Sequence, residues 1–127
     1  MGCAIRVLVV DEDEDVLELT EAFLERESDA ITALPEASAR RAVERVDAEN
    51  IDCVVSDYRM PEMDGLELYD AITANNDDLP FFLLSASAGT EIGAKADDRG
   101  VTGFIQKGAG TDHYTDLARR IEEAVGK

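Results

Sequence analysis

At 127 residues, 45% of them apolar, the chain has one domain's worth of sequence and enough to bury a core. No apolar run approaches the ~20 residues that cross a bilayer and no leader-like segment opens the chain, which implies a soluble cytoplasmic domain with no membrane contact. The 29 acids against 12 bases give a formal charge of −17, spread over every helix-like segment, which argues against a disordered acidic tail and against direct nucleic-acid binding.

The first predicted element is a strand, "CAIRVLVV" at 3–10. A helix follows, with Val16, Thr20, Phe23 and Leu24 on one stripe and Glu18, Glu21 and Glu25 elsewhere. Asp13 is placed to cap that helix, its side-chain oxygen accepting from first-turn amides. "AITAL" at 30–34 is a short second strand. Ala39, Ala42, Val43 and Val46 mark a second helix, with Pro35 near its first turn. "IDCVVS" at 51–56 is the third strand, and Leu66, Leu68, Tyr69 and Ile72 suggest a short third helix. "PFFLLSA" at 80–86 is the fourth strand. Residues 90–98 give a weak helical pattern, poor in large apolar side chains, so a short or mobile fourth helix is expected. "VTGFIQ" at 101–106 is the fifth strand, and Tyr114, Leu117, Ala118, Ile121 and Val125 line a clear fifth helix. His113, the sole histidine, is read as a surface residue at its opening.

Near-continuous apolar runs mark strands covered on both faces. Five of them alternating with five helices imply an α/β, doubly wound parallel sheet with right-handed crossovers. Cys3 and Cys53 fall in such runs and are expected to be reduced core thiols, with a disulfide or metal pair as the alternative. Only Lys95, Lys107 and Lys127 are lysines. An acidic, lysine-poor surface suits a cytoplasm at high salt, where screening removes self-repulsion, so a halophilic source is expected.

In a doubly wound sheet, ligands sit at the carboxyl ends of the strands. Asp11, Glu12 and Asp13 follow the first strand, Asp57 ends the third, Ser85 the fourth, and Lys107 follows the fifth. Taken singly, each has an ordinary reading as a helix cap, a turn residue or a solvated charge. Jointly they put carboxylates, a hydroxyl and an ammonium on one edge. Crowded carboxylates repel unless a cation sits among them. Few oxygen ligands completed by water favour Mg²⁺ over a Ca²⁺ cage. An aspartate beside a cation, an ammonium and a hydroxyl is equipped to accept a phosphoryl group in line.

The motifs "VLVVDEDEDVLEL", "DCVVSDYRMPEMDGLEL", "LLSASA" and "GFIQK", in this order and spacing, resemble the response-regulator receiver domain of two-component signalling over essentially residues 1–127. The resemblance implies a flavodoxin-like five-stranded sheet of order 2-1-3-4-5 with five helices. It implies that Asp57 is the phospho-acceptor and that Asp11, Glu12, Asp57 and the backbone carbonyl of Arg59 hold Mg²⁺. Ser85 and Lys107 would each contact a phosphoryl oxygen, and Phe104, with Ser85, would form the switch. The implied partners are a sensor histidine kinase and either a downstream protein or a fused output domain. The contact face would be the fourth helix, fifth strand and fifth helix.

Two positions depart from the family's pattern. Glu12 stands where the second acid is usually aspartate. Gly108 replaces the usual proline after the lysine, so a trans bond and a reshaped 107–110 loop are expected, because a cis bond without proline costs roughly 3–4 kcal/mol. A turnover phosphatase would want a second acid two residues past the nucleophile, and Arg59 stands there. Dinucleotide binding lacks its Gly-rich turn. The remaining alternative is an unphosphorylated interaction module on the same scaffold.

Overall fold

Val7, Leu8, Val9 and Val10 are all at most 3% exposed, as a strand with helices against both faces requires. They belong to β1 (Ile5–Val10) in a computed structural model that describes residues 4–74, 78–85, 90–107 and 112–125, apart from the side chains of 90–92. Cys3 lies outside the described residues, as does the 108–110 segment with its expected trans bond.

The chain alternates throughout: α1 (Glu14–Glu27), β2 (Ile31–Glu36), α2 (Ala39–Ala48), β3 (Cys53–Asp57), α3 (Gly65–Thr73), β4 (Phe81–Ser85), α4 (Thr90–Arg99), β5 (Gly103–Gln106) and α5 (Asp112–Val125). All strand pairs are parallel, in the order β2-β1-β3-β4-β5, so the expected flavodoxin-like topology is observed. No helix among the described residues is long and apolar enough to cross a membrane.

Side chains alternate across the sheet, so the core divides in two. Val7, Val9, Cys53, Val55, Phe82, Leu84 and Ile105 pack with Leu17 and Leu24 of α1 and Leu117, Ala118 and Ile121 of α5. Leu8, Val10, Val54, Phe81 and Leu83 pack with apolar residues of α2, α3 and α4. Cys53 is a fully buried free thiol, and burial pushes its pKa up, which keeps it unreactive.

Local chemistry sets the helix starts. Asp13 caps α1, its side chain accepting from the amides of Asp15 and Val16. Ser38 caps α2 through the amide of Arg41. Asp64 and Glu67 form a reciprocal capping box on α3. Gly65 follows at once, and its role is space rather than backbone freedom. A Cβ there would lie 2.8 Å from the Asp57 carbonyl oxygen, while no left-handed φ is present.

Several sequence-based expectations need correction. Pro35 is in β2, opposite Val9, not at the start of α2. β2 is the sheet edge and needs hydrogen bonds on one side only, so a residue without an N–H is tolerated. In α1 the buried side chains are Leu17, Thr20 and Leu24. Val16 and Phe23 flank that stripe, and Phe23 stacks on Tyr114 of α5 with ring centroids 5.1 Å apart. The fourth helix is not short: at ten residues it matches α2. Its small side chains suit close packing, with Ala96 buried and Gly93 against the Phe104 ring.

Candidate phosphoryl-acceptor site

The sheet register brings the strand ends together. Val10 of β1 lies opposite Ser56 of β3, so Asp11 and Asp57 emerge side by side. Asp57 lies opposite Leu84, and Ser85 opposite Gln106, so Lys107 leaves β5 at the same edge. The Lys107 amide donates to the Ser85 carbonyl at 2.8 Å, which extends the strand pairing to the lysine itself.

Lys107 Nζ lies 2.9 Å from Asp57 Oδ1 and 3.6 Å from Asp11 Oδ2. Asp11 is 5% exposed, and its Oδ1 accepts from the Asp13 amide at 2.9 Å as the chain turns into α1. Burial raises the pKa of Asp11, and the neighbouring charge of Asp57 adds to the rise; the Asp13 amide and Lys107 only partly offset them. Burial opposes the charge on Lys107 too. There the hydrogen bond to Asp57 and the charges of Asp57 and Asp11 outweigh it, and the net shift is upward. Two carboxylates thus share one ammonium, and the excess negative charge falls on a buried group.

This donor set fits a hard divalent cation. Asp11 and Asp57 offer carboxylate oxygens at a half-open edge, and the repulsion between them is what a cation relieves. Among the described residues no three His, Cys, Asp or Glu side chains form a metal-binding group. Glu12 is solvent-exposed rather than turned in with the pair, and Arg59 is exposed on the loop after β3. Of the acids that the sequence gathers at this edge, Asp11 and Asp57 meet at Lys107, Asp13 caps α1, and Glu12 stands at the rim.

Ser85 is 2% exposed at the end of β4, one position past the partner of Asp57. Phe104 is half-buried in β5 and packs against the α2–α4 side of the core. A Cβ on Gly93 of α4 would lie 3.8 Å from its ring.

Three features of this edge had no signal in local spacing. Glu62 reaches from the β3–α3 loop to the first turn of α2. Tyr114 is 4% exposed, accepts from Thr20 Oγ1 at 3.4 Å and stacks on Phe23, joining α5 to α1. His113 is half-buried rather than fully exposed as expected. Its ring lies 4.0 Å from that of Tyr114, and among the described residues both its nitrogens are inaccessible and without a hydrogen-bond partner. Burial lowers its pKa and the charge of Lys107 lowers it further, against a small opposing effect of Asp112.

Comparison with known proteins gives a consistent picture. The family model described as the response regulator receiver domain matches residues 7–119. The chain is 33% identical over 123 residues to the C4-dicarboxylate transport transcriptional regulatory protein DctD of Rhizobium meliloti (strain 1021), covering 97% of this chain and 26% of that one. Among solved structures it is similar to the non-phosphorylated HemR receiver domain of Leptospira biflexa, with a TM-score of 0.80 and 27% identity over 96% of this chain and 94% of that one. A receiver domain protein from Clostridium thermocellum shares the fold, with a TM-score of 0.82 at 20% identity, over 95% and 94% of the two chains. The chain spans only 16% to 30% of the length of eight curated relatives that it matches.

Proposed function

The chain belongs to the response regulator receiver domains of two-component systems, and from that membership we propose that Asp57 accepts a phosphoryl group from a phosphohistidine of a sensor histidine kinase. The observation that carries this reading is Lys107 Nζ at 2.9 Å from Asp57 Oδ1 and 3.6 Å from Asp11 Oδ2.

In the transfer a carboxylate oxygen of Asp57 attacks phosphorus in line. The phosphorus–nitrogen bond breaks, its electron pair stays on the imidazole, and an acyl phosphate forms on Asp57. Lys107 moves from the carboxylate to a phosphoryl oxygen and neutralises charge there as it develops. The Ser85 hydroxyl donates to a second phosphoryl oxygen. Mg²⁺, when bound, would add to the neutralisation of phosphoryl charge; Asp11, Asp57 and the Arg59 carbonyl would hold it, and Glu12 would have to swing in from the rim to join them. Drawing Ser85 toward the phosphoryl group vacates space that Phe104 turns into, altering the α4–β5–α5 face. The acyl phosphate hydrolyses slowly, and the domain is a switch rather than a turnover enzyme. The site of action is the cytoplasm, where kinase and phosphohistidine are found. The readout belongs to a fused output domain or a separate downstream protein, in keeping with the small share of its relatives that the chain spans.

Acetyl phosphate with Mg²⁺ is expected to add one phosphoryl group to the wild type, seen by intact mass, and none to Asp57→Ala. Multiple turnovers of a phosphoester would favour an enzyme instead. Absence of both adduct and Mg²⁺ binding would favour an unphosphorylated interaction module.

A further inference from the structure

The loop from Tyr58 to Asp64 joins the acceptor to α3. Backbone hydrogen bonds hold its ends, from the Tyr58 amide to the Leu84 carbonyl and from the Gly65 amide to the Tyr58 carbonyl, both at 2.8 Å. Its middle is held by a side chain. Glu62 Oε1 accepts from the Oγ of Ser38, the cap of α2, at 3.0 Å and from the first-turn amide of Arg40 at 3.3 Å. Ser38 uses both its functions, donating to Glu62 while its Oγ accepts from the Arg41 amide at 3.3 Å. The Arg40 amide is one of the first-turn donors that a helix cannot satisfy internally. A carboxylate there also meets the positive end of the helix dipole.

We propose that Glu62 is a positioning residue for the acceptor site: by tying the loop that carries Arg59 to the start of α2, it holds that loop ready for the cation beside Asp57. The inference rests on the proposed phospho-acceptor function. The Arg40 amide and the Ser38 hydroxyl hold the Glu62 carboxyl below the usual carboxylate range, which favours the ionised form that accepts both bonds. The tether joins positions 22 to 24 residues apart in sequence, so it couples the loop to an element distant in the chain.

Glu62→Ala removes the acceptor and Glu62→Gln keeps one, since the glutamine carbonyl can accept from the same two donors; whether the loop or α2 loses protection separates a tether from a simple helix cap. In metal-free protein, Glu62→Ala is expected to speed amide hydrogen exchange at Arg59, Met60, Glu62 and Met63 while leaving the body of α2 protected. Followed by the fluorescence of the tyrosines, one of which is Tyr58 beside Asp57, its half-saturating Mg²⁺ concentration should rise about three- to tenfold, the scale of losing one or two ordinary hydrogen bonds. The phosphorylation rate by acetyl phosphate at saturating Mg²⁺ should stay within about twofold, and Glu62→Gln should recover most of the Mg²⁺ affinity. Unchanged loop exchange and Mg²⁺ half-saturation in folded Glu62→Ala would overturn the proposal, as would a folded Glu62→Gln that behaves like the alanine variant. Failure of the wild type itself to take phosphoryl on Asp57 would instead sink the underlying function, leaving the exchange data to judge the tether alone.

Discussion

Asp11 holds a buried negative charge beside a second carboxylate, with one ammonium between them. Its raised pKa means the folded protein binds a proton there more readily than the unfolded chain does. The stabilisation linked to that proton is present below the ordinary aspartate range and is lost as pH rises through the folded pKa. At neutral pH the ionised pair therefore weakens the metal-free fold. Asp11→Asn keeps a carbonyl for the Asp13 amide and removes the repulsion. It should raise the melting temperature in Mg²⁺-free buffer by a few degrees, on the order of 1 kcal/mol, and abolish the upward shift that Mg²⁺ gives the wild type. His113 has the opposite sign. Its folded pKa is lowered, so its contribution is present above the ordinary histidine value of 6.5 and is lost as pH falls through the folded pKa. Thermal melts from pH 7 down to pH 5 should show His113→Phe gaining stability relative to wild type as the pH drops. A constant difference across that window would show that the ring does not resist protonation.

At the scale of elements, α1 and α5 form one layer through pairs far apart in sequence. Phe23 stacks on Tyr114, Thr20 donates to the Tyr114 hydroxyl, and Ser28 donates to Glu122. Tyr114→Ala removes the centre of that layer and should cost about 3 kcal/mol of unfolding free energy. Denaturant melts give the total, and hydrogen exchange should show α5 losing protection before α3. Element type was legible in the sequence because long apolar runs and 3.6-residue stripes record burial directly. What misled was detail that depends on neighbours. Pro35 reads as a helix starter until β2 proves to be an edge strand, and Phe23 reads as sheet-facing until α5 supplies a partner beside it. Residues 90–98 look weak by hydrophobicity because packing at Gly93 and Ala96 rewards small side chains over large ones.

Across the whole molecule, a formal charge of −17 on 127 residues is a standing repulsion that salt can screen. Many of the ion pairs among the described residues are at half-exposed sites, such as Arg99 with Asp70 and Arg120 with Asp116, and contribute little each. Raising NaCl from 0.1 M toward 1 M shortens the Debye length from about 10 Å to about 3 Å. The melting temperature should climb by several degrees over that range, with KCl acting alike. A flat profile would count against both the importance of the repulsion and the high-salt source inferred from composition.

The sequence by itself determined the alternating α/β order, the parallel sheet and the residues gathered at its carboxyl edge, because those follow from periodicity and from where apolar runs stop. Only the tertiary structure decided which edge residues meet. Asp11, Asp57 and Lys107 come within ion-pair distance because strand register sets them side by side, while Glu12, one residue along, is left in solvent. Glu62 reaching α2 and His113 tucked against Tyr114 are likewise decided by packing between segments distant in the chain. Distances across space carry no trace in local spacing, which is why residue type and position could be read early and mutual geometry could not.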